Sequence, residues 1–341
     1  MNAAIFESLG DPAAVLQLRE QPVPQPEGGQ VRVRMLASPI NPSDLMFIRG
    51  DYTLKPRLPS GAGFEGVGIV EAAGGGPLPR LMLGKRVAVL NRRGGNWADY
   101  VVVPVQQLVP LKKHLSIEQA ATFFVNPATA FIMTRLVLQI PEGQWLVQSA
   151  AGSELGKMVI RLGRRFGFRT LNIVRREAQI EELKQLGADR VIAFDASRQT
   201  PQQLAELIRE QTNDSARYAI DSVGGAVGTG ISQALSRAGR MLVFGTLSNE
   251  PIQLAPRDLM TPGATIEGFW LGNFMDTLNL FAKLRLVSTL SGLIADGTLC
   301  SAIGAKFALN DFAAAVHQAQ QSGRNGKVLF VMNEAAKALS H

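Results

Sequence analysis

Between residues 145 and 271, short apolar runs alternate with stretches of helical period, and this alternation constrains the fold of the 341-residue chain most tightly. Residues 146–149, 170–174, 190–193, 218–221 and 241–245 read as buried strands. Helix-period sequence separates them at 155–166, 178–186, 204–211 and 230–238, with Gly187 as a stop signal. Strands joined by helices of this length predict a doubly wound parallel sheet, an α/β architecture. With one more strand at 268–271, six are complete by Leu271. The remaining helical stretches and a last strand at 327–331 are therefore expected to return to another domain.

That other domain has a different texture. Residues 1–115 are rich in Gly and Pro, Val31-Arg32-Val33-Arg34-Met35 alternates at period two, and 66–71 and 86–90 are short runs between turn signals. This pattern predicts a β-rich, barrel-like domain of short strands. The expected division is 1–117 with 272–341 for that domain, and 118–271 for the parallel sheet.

Composition narrows the function. Hydrophobic residues make up 46% of the chain, yet no apolar run reaches the 18–20 residues of a membrane span. Met1-Asn2-Ala3-Ala4-Ile5-Phe6-Glu7 carries neither a secretory nor a transit pattern, so a cytoplasmic location is expected, with no membrane partner. A single cysteine, Cys300, excludes a disulfide framework and any zinc site built from several thiolates, and it reads as a packed thiol. The net charge of +7 comes from scattered Lys and Arg without a basic run, which speaks against nucleic acid. A small phosphate-bearing ligand fits that charge, and so does a plainly solvated basic surface.

A turn at Ala150-Ala151-Gly152-Ser153-Glu154-Leu155-Gly156 follows the first strand of the alternating region. Glycines between strand and helix let backbone approach a pyrophosphate seated at the helix N-terminus. Gly152, Ser153, Leu155 and Gly156 are thus candidate cofactor contacts, although a tight packing turn has the same signature. A dinucleotide fold that prefers NAD places an acidic residue after its second strand, about 20 residues past the glycines. Here Arg175 and Arg176 stand there, with Asn172 just before them. Guanidinium groups suit a 2′-phosphate and point to NADPH, the alternative being two arginines that end a strand in solvent. Gly224 and Gly245 close later strands at the edge where such folds bind ligands.

Asn41-Pro42-Ser43-Asp44, Gly50-Asp51-Tyr52, Gly63-Phe64-Glu65-Gly66-Val67-Gly68, Gly84-Lys85-Arg86-Val87 and Gly95-Asn96-Trp97-Ala98 follow one another in order. Together with the glycine turn they resemble the successive signatures of the medium-chain dehydrogenase/reductase superfamily. The resemblance implies a Rossmann domain beside a GroES-like barrel domain, and it covers essentially the whole chain. Zinc-dependent members have Cys at the place of Asn41 and His at the place of Phe64, so no metal is expected here. His114, His317 and His341 are expected at the surface or in capping roles. The zinc-free branches that the chain resembles are the trans-2-enoyl-thioester reductases and the NADPH:quinone oxidoreductases.

Phe124-Val125-Asn126-Pro127-Ala128-Thr129-Ala130, Asn172-Ile173-Val174-Arg175 and Gly268-Phe269-Trp270-Leu271 resemble the enoyl-thioester branch. That likeness implies cofactor contacts at Asn126, Thr129, Phe269 and Trp270, an acyl-pocket wall or dimer contact at Trp270, and a homodimer. It also implies that Tyr52 serves a developing enolate as hydrogen-bond or proton donor, with Asn41 orienting groups nearby. Tyr52 equally reads as a half-buried ring with its hydroxyl in solvent. The expected activity is NADPH-dependent reduction of the activated C=C bond of a small-molecule enoyl thioester. A quinone or reactive-enone reductase is the alternative, and a non-enzymatic NADPH-binding protein is a third reading.

Overall fold

The computed structural model describes residues 1–112, 115–321 and 323–332, which excludes His114 and His341. Two compact units emerge, Met1–Val125 with the chain from Ser301 onward, and Asn126–Cys300. Residues 272–300, expected in the first domain, therefore group with the second. The reason is packing. The helix Leu280–Ala295 buries Leu286, Leu290, Leu293 and Ile294, and Arg161 Nη1 donates to the carbonyls of Thr298 at 3.1 Å and Cys300 at 2.9 Å.

In the first unit the long strand Gln30–Pro39 organises the sheet. It pairs antiparallel with Glu65–Ala73, Tyr100–Pro104 and Lys327–Val331. Its first half alternates between buried and half-buried positions and its second half is wholly buried, as a strand does when it passes from a sheet face into a closed core. Phe6, Met35, Ile40, Ile48, Trp97 and Phe330 fill that core. The Trp97 ring lies 5.0 Å from that of Phe330, and its Nε1 donates to Pro39 O at 3.3 Å. The strand at 327–331 thus joins this unit, as the sequence predicts.

One helix of this unit carries most of the candidate chemistry. Helix α1, Pro42–Arg49, starts with Pro at its first position, where the missing N–H costs nothing. Asp44 accepts the N–H of the N-cap residue Asn41 at 2.7 Å. The helix stops at Gly50, whose φ of 82° lies in the left-handed region that glycine adopts without a Cβ penalty. Asp51 N–H returns to Met46 O at 2.9 Å, so Tyr52 leaves the helix end in a fixed direction.

The second unit contains six parallel strands, β1 (Trp145–Gln148), β2 (Arg169–Val174), β3 (Arg190–Ala193), β4 (Tyr218–Asp221), β5 (Arg240–Val243) and β6 (Thr265–Gly268). Their order is β3-β2-β1-β4-β5-β6, that of the dinucleotide-binding fold. Strands β1 and β4 are buried at every position because helices cover both faces. Helix α2, Glu154–Phe166, follows β1, with Ser153 Oγ accepting Gly156 N–H at 3.1 Å as its N-cap. Such a cap contributes about 1 kcal/mol. No helix of the described residues is long and apolar enough to cross a membrane.

Candidate active site

In the second unit, parallel strands bring their carboxyl ends to one edge. The strand order reverses between β1 and β4, and the crevice there is where ligands bind in such sheets. Ser149 bridges it, its N–H donating to Ile220 O at 3.2 Å and its Oγ accepting Ser222 N–H at 2.9 Å. Asp221 is fully buried beside it. Burial pushes its carboxyl above the ordinary range, opposed by the Ser149 hydroxyl and the amides of Val223 and Gly224. Ser149 and Asp221 shape this edge but are not among the sequence candidates. An Asp closing an apolar strand before two glycines was the available signal.

The glycine turn packs closely against the helix that follows it. A Cβ on Gly156 would lie 2.5–2.7 Å from the O, Cα and C of Ala151, so only glycine lets α2 approach the turn this closely. The first turn of α2 leaves amides without acceptors inside the helix, which favours an anion there. Ser153 serves as the N-cap, and Leu155 is half-buried in the first turn. In front of Gly152 lies the Gln179 carboxamide, 2.1 Å from where a Cβ would stand. Glu154 faces Lys157 at 3.7 Å, and Lys157 reaches Glu182 at 2.5 Å. The lysine offsets a charge that would otherwise oppose a phosphate.

Arg175 and Arg176 are exposed immediately after β2. Arg175 stands near the end of β3, where hydrogen bonds from Ser197, and then the charges of Arg198 and Arg175, hold the half-buried Asp195 carboxyl below its ordinary range. Asn172 does not share this position. It is fully buried, and its carboxamide accepts Gln148 Nε2 at 2.6 Å and donates to Thr170 Oγ1 at 3.0 Å and Arg190 O at 2.9 Å. Its polar atoms tie β1, β2 and β3 together inside the sheet, which corrects its expected role as a cofactor contact.

Gly224 has a φ of 78°, and a Cβ on it would meet Glu250 O at 3.1 Å. A Cβ on Gly245 would meet Ser222 O at 2.8 Å. Both glycines allow the loops after β4 and β5 to pass close together at the carboxyl edge, a local reason for them apart from any ligand. Phe269 and Trp270 follow β6 at the same edge, half-buried, with Phe269 N–H on Val243 O at 2.8 Å. Asn126 is half-buried and Thr129 buried on the helix Val125–Phe131.

In the first unit, α1 places Asn41 at its N-terminus and Tyr52 just past its C-terminus. The Asn41 carboxamide accepts from the buried Lys327 ammonium and approaches Glu65. Glu65 Oε1 accepts the N–H groups of Phe124 at 2.7 Å and Val125 at 2.8 Å, fixing the chain just before Asn126. Asp44 accepts Phe64 N–H at 3.0 Å as well as Asn41 N–H. Burial raises both carboxyls, Asp44 to about 7, while their backbone bonds and Lys327 act in the opposite direction. Tyr52 is half-buried, its ring 5.7 Å from that of Phe64.

These groups do not fit a zinc ion. A phenyl ring has no donor, the Asn41 oxygen already faces an ammonium, and the Glu65 oxygen that the backbone engages is turned to amides. Lys327 supplies the internal positive charge. Sequence reasoning missed it, since Lys in an apolar strand gives no sign of a partner 286 positions away. The remaining described histidine, His317, is exposed in the last turn of the helix Phe312–Gln320. Cys300 is half-buried, its thiol donating to Gly297 O at 3.1 Å.

Comparison with known proteins agrees with this architecture. Residues 27–113 match the alcohol dehydrogenase GroES-like domain family, and residues 155–285 the family described as zinc-binding dehydrogenase. An enoyl-[acyl-carrier-protein] reductase, mitochondrial, of Caenorhabditis elegans is 32% identical over 99% of this chain and 97% of its own length. The human protein of the same name is 30% identical over 97% and 89%. Among solved structures, a putative NADPH:quinone reductase from Bacillus thuringiensis superposes with a TM-score of 0.88, at 32% identity over 97% of this chain and 98% of the other. Etr1p of Candida tropicalis, in a complex with NADP and crotonyl-CoA, superposes at 0.82 with 25% identity over 97% and 99%. The chain belongs to the medium-chain dehydrogenase/reductase superfamily. Its relatives there are named as reductases, of enoyl thioesters and of quinones.

Proposed function

We propose that this protein reduces the activated C=C bond of a 2-enoyl thioester with NADPH, without a metal. The observation that carries the reading lies where zinc-dependent members have two of their ligands: Asn41 is held by the Lys327 ammonium, and Phe64 packs beside Tyr52. Without a Lewis acid the alcohol–ketone interconversion loses its main catalytic aid in this superfamily, whereas addition of hydride to a conjugated thioester remains feasible with hydrogen-bond assistance. The chemistry NADPH supplies when bound is a hydride for the β-carbon of the thioester, and a proton taken up from water at the α-carbon completes the reduction.

The carboxyl edge of the sheet holds the cofactor, with its pyrophosphate at α2 and its 2′-phosphate at Arg175 and Arg176. Gly245, Phe269 and Trp270 line the same edge further along, and Asn126 and Thr129 contribute from their helix. Tyr52 donates its phenolic hydrogen to the thioester oxygen as that oxygen gains charge. The bond strengthens towards the transition state and lowers the barrier. Asn41, held by Lys327, orients groups around it. The full-length likeness to enoyl-[acyl-carrier-protein] reductases supports this substrate class.

Quinone reduction is the second reading, favoured by the TM-score and identity of the Bacillus thuringiensis structure. NADPH oxidation assayed with crotonyl-CoA and with a simple quinone separates the two. A higher kcat/KM for crotonyl-CoA is expected, and a higher value for the quinone replaces the enoyl reading.

The protein also forms a homodimer in this proposal. Strand β6 pairs on one side only among the described strands, and Leu280, Phe281 and Leu284 are exposed on the helix Leu280–Ala295. Light scattering at micromolar concentration is expected to give twice the chain mass, and a monomer mass would refute it.

A further inference from the structure

Four aromatic rings run in series through the first unit. Phe6 and Phe47, both buried, stand 5.8 Å apart with their planes at 87°. Phe47 and Phe64 are 5.0 Å apart at 67°, and Phe64 and Tyr52 are 5.7 Å apart at 40°. Edge-on and tilted contacts at these distances are attractive and orientation-dependent, so each ring restrains the next. The series begins in the core and ends on the phenol.

We propose that Phe64 is a positioning residue for Tyr52, holding the phenol ring in the orientation from which its hydroxyl meets the thioester oxygen. The inference rests on the reading of Tyr52 as the donor to that oxygen. Phe64 is well placed to act this way because its backbone is pinned on both sides. Its N–H donates to the buried Asp44 carboxylate at 3.0 Å, and its carbonyl accepts Asn91 N–H at 2.8 Å. Asp44 and Phe47 both sit on α1, so the helix that delivers Tyr52 through Gly50 also grips Phe64 by backbone and by ring.

Tyr52 itself lies on a segment with little cover. Asp51, Thr53, Leu54, Lys55, Arg57, Leu58 and Pro59 are all exposed. A tyrosine on such a segment retains rotamer freedom unless a neighbour restricts it. The Phe64 ring is one such neighbour, at the position where zinc-dependent members of the superfamily carry a metal ligand. One position thus carries a metal ligand in one branch and, in this chain, a ring packed against the hydrogen-bond donor Tyr52.

The test uses the full-length protein with NADPH and crotonyl-CoA. Phe64→Leu keeps most of the volume but removes the ring. It is expected to lower kcat about tenfold, since small misplacements of reacting groups cost this much or more. KM for crotonyl-CoA is expected to stay within about twofold, because the contact acts in the transition state. Phe64→Tyr keeps the ring and is expected to retain at least about half of kcat. In a Tyr52→Phe background, Phe64→Leu is expected to change kcat by less than about twofold, because the hydroxyl it positions is gone.

An equal fold-loss from Phe64→Leu in both backgrounds overturns the inference, since the phenylalanine then acts independently of the phenol. So does wild-type kcat in Phe64→Leu, or a loss in Phe64→Tyr as large as that in Phe64→Leu. A Tyr52→Phe variant that is silent by itself refutes the donor reading instead.

Discussion

Placing a methyl group on Gly156 tests the cofactor cradle where the backbone leaves least room. In Gly156→Ala the new Cβ would lie 2.5 Å from Ala151 O, 2.6 Å from its Cα and 2.7 Å from its C. All three are backbone atoms of the turn that leads into α2, so no side chain can swing aside. Restoring ordinary contact at about 3.4–4 Å requires the helix and turn to separate by roughly 1 Å. Overpacking of this kind costs about 1–3 kcal/mol of stability. Moving the helix N-terminus by the same distance weakens its amide contacts with the pyrophosphate, and a tenfold loss of affinity corresponds to about 1.4 kcal/mol. Gly152→Ala is the control, because the atom it meets belongs to the Gln179 side chain, which can rotate away. Tryptophan fluorescence quenching by NADPH measures the dissociation constant, and a thermal melt of the same samples reports stability. Gly156→Ala is expected to bind NADPH at least about tenfold more weakly and to melt lower, with Gly152→Ala between it and wild type. Wild-type affinity and melting temperature in Gly156→Ala would refute the cradle.

Other consequences are as direct. NADPH is expected to outperform NADH by at least about tenfold in KM, and Arg175→Ala to shrink that ratio; equal use of both by the unmutated protein refutes the 2′-phosphate assignment. Purified protein is expected to contain no stoichiometric zinc and to keep its activity in chelator; one zinc per chain by metal analysis contradicts the account of Asn41 and Phe64. Asp44 ionises at an ordinary 3.8 when unfolded but is held near 7 when folded, so its contribution to stability is present below about 4 and is lost as pH rises towards 7. Asp44→Asn is expected to remove that part of the slope in a denaturant series across this range, and an unchanged slope rejects it.

The parallel sheet was legible because strands covered on both faces are nearly continuous apolar runs, and β1, β2 and β4 fall where those runs do. The helix after β4 was not. Expected at 230–238, it runs Gly225–Gln233. Glycine has low helix propensity, yet a Cβ at Gly228 would lie 2.8 Å from Asp221 Oδ2 and one at Gly230 2.8 Å from Pro201 O. Close packing, a tertiary effect, overrides helix propensity there. Counting strands places residues 272–300 in the first domain and is blind to the contacts of Arg161 with the end of that segment, at Thr298 and Cys300. The arginines after β2 and the glycine turn, proposed to hold the cofactor, stand out in the sequence by register. The buried set of Asp44, Glu65 and Lys327 does not, because its charges meet only once distant strands pair. Asn172 misled for the converse reason: a polar residue near a strand end looks available, and only the fold shows its amide spent inside the sheet.

The phenol of Tyr52 bears most directly on the proposed chemistry. Tyr52→Phe removes one donor to the developing oxyanion, a loss that costs roughly 10²–10³ in kcat where such a donor is used. With NADPH and crotonyl-CoA the variant is expected to lose that much kcat with little change in KM, while quinone reduction by the same protein falls only modestly. A Tyr52→Phe enzyme that keeps wild-type kcat on crotonyl-CoA would contradict the assignment of Tyr52 as the donor in enoyl-thioester reduction.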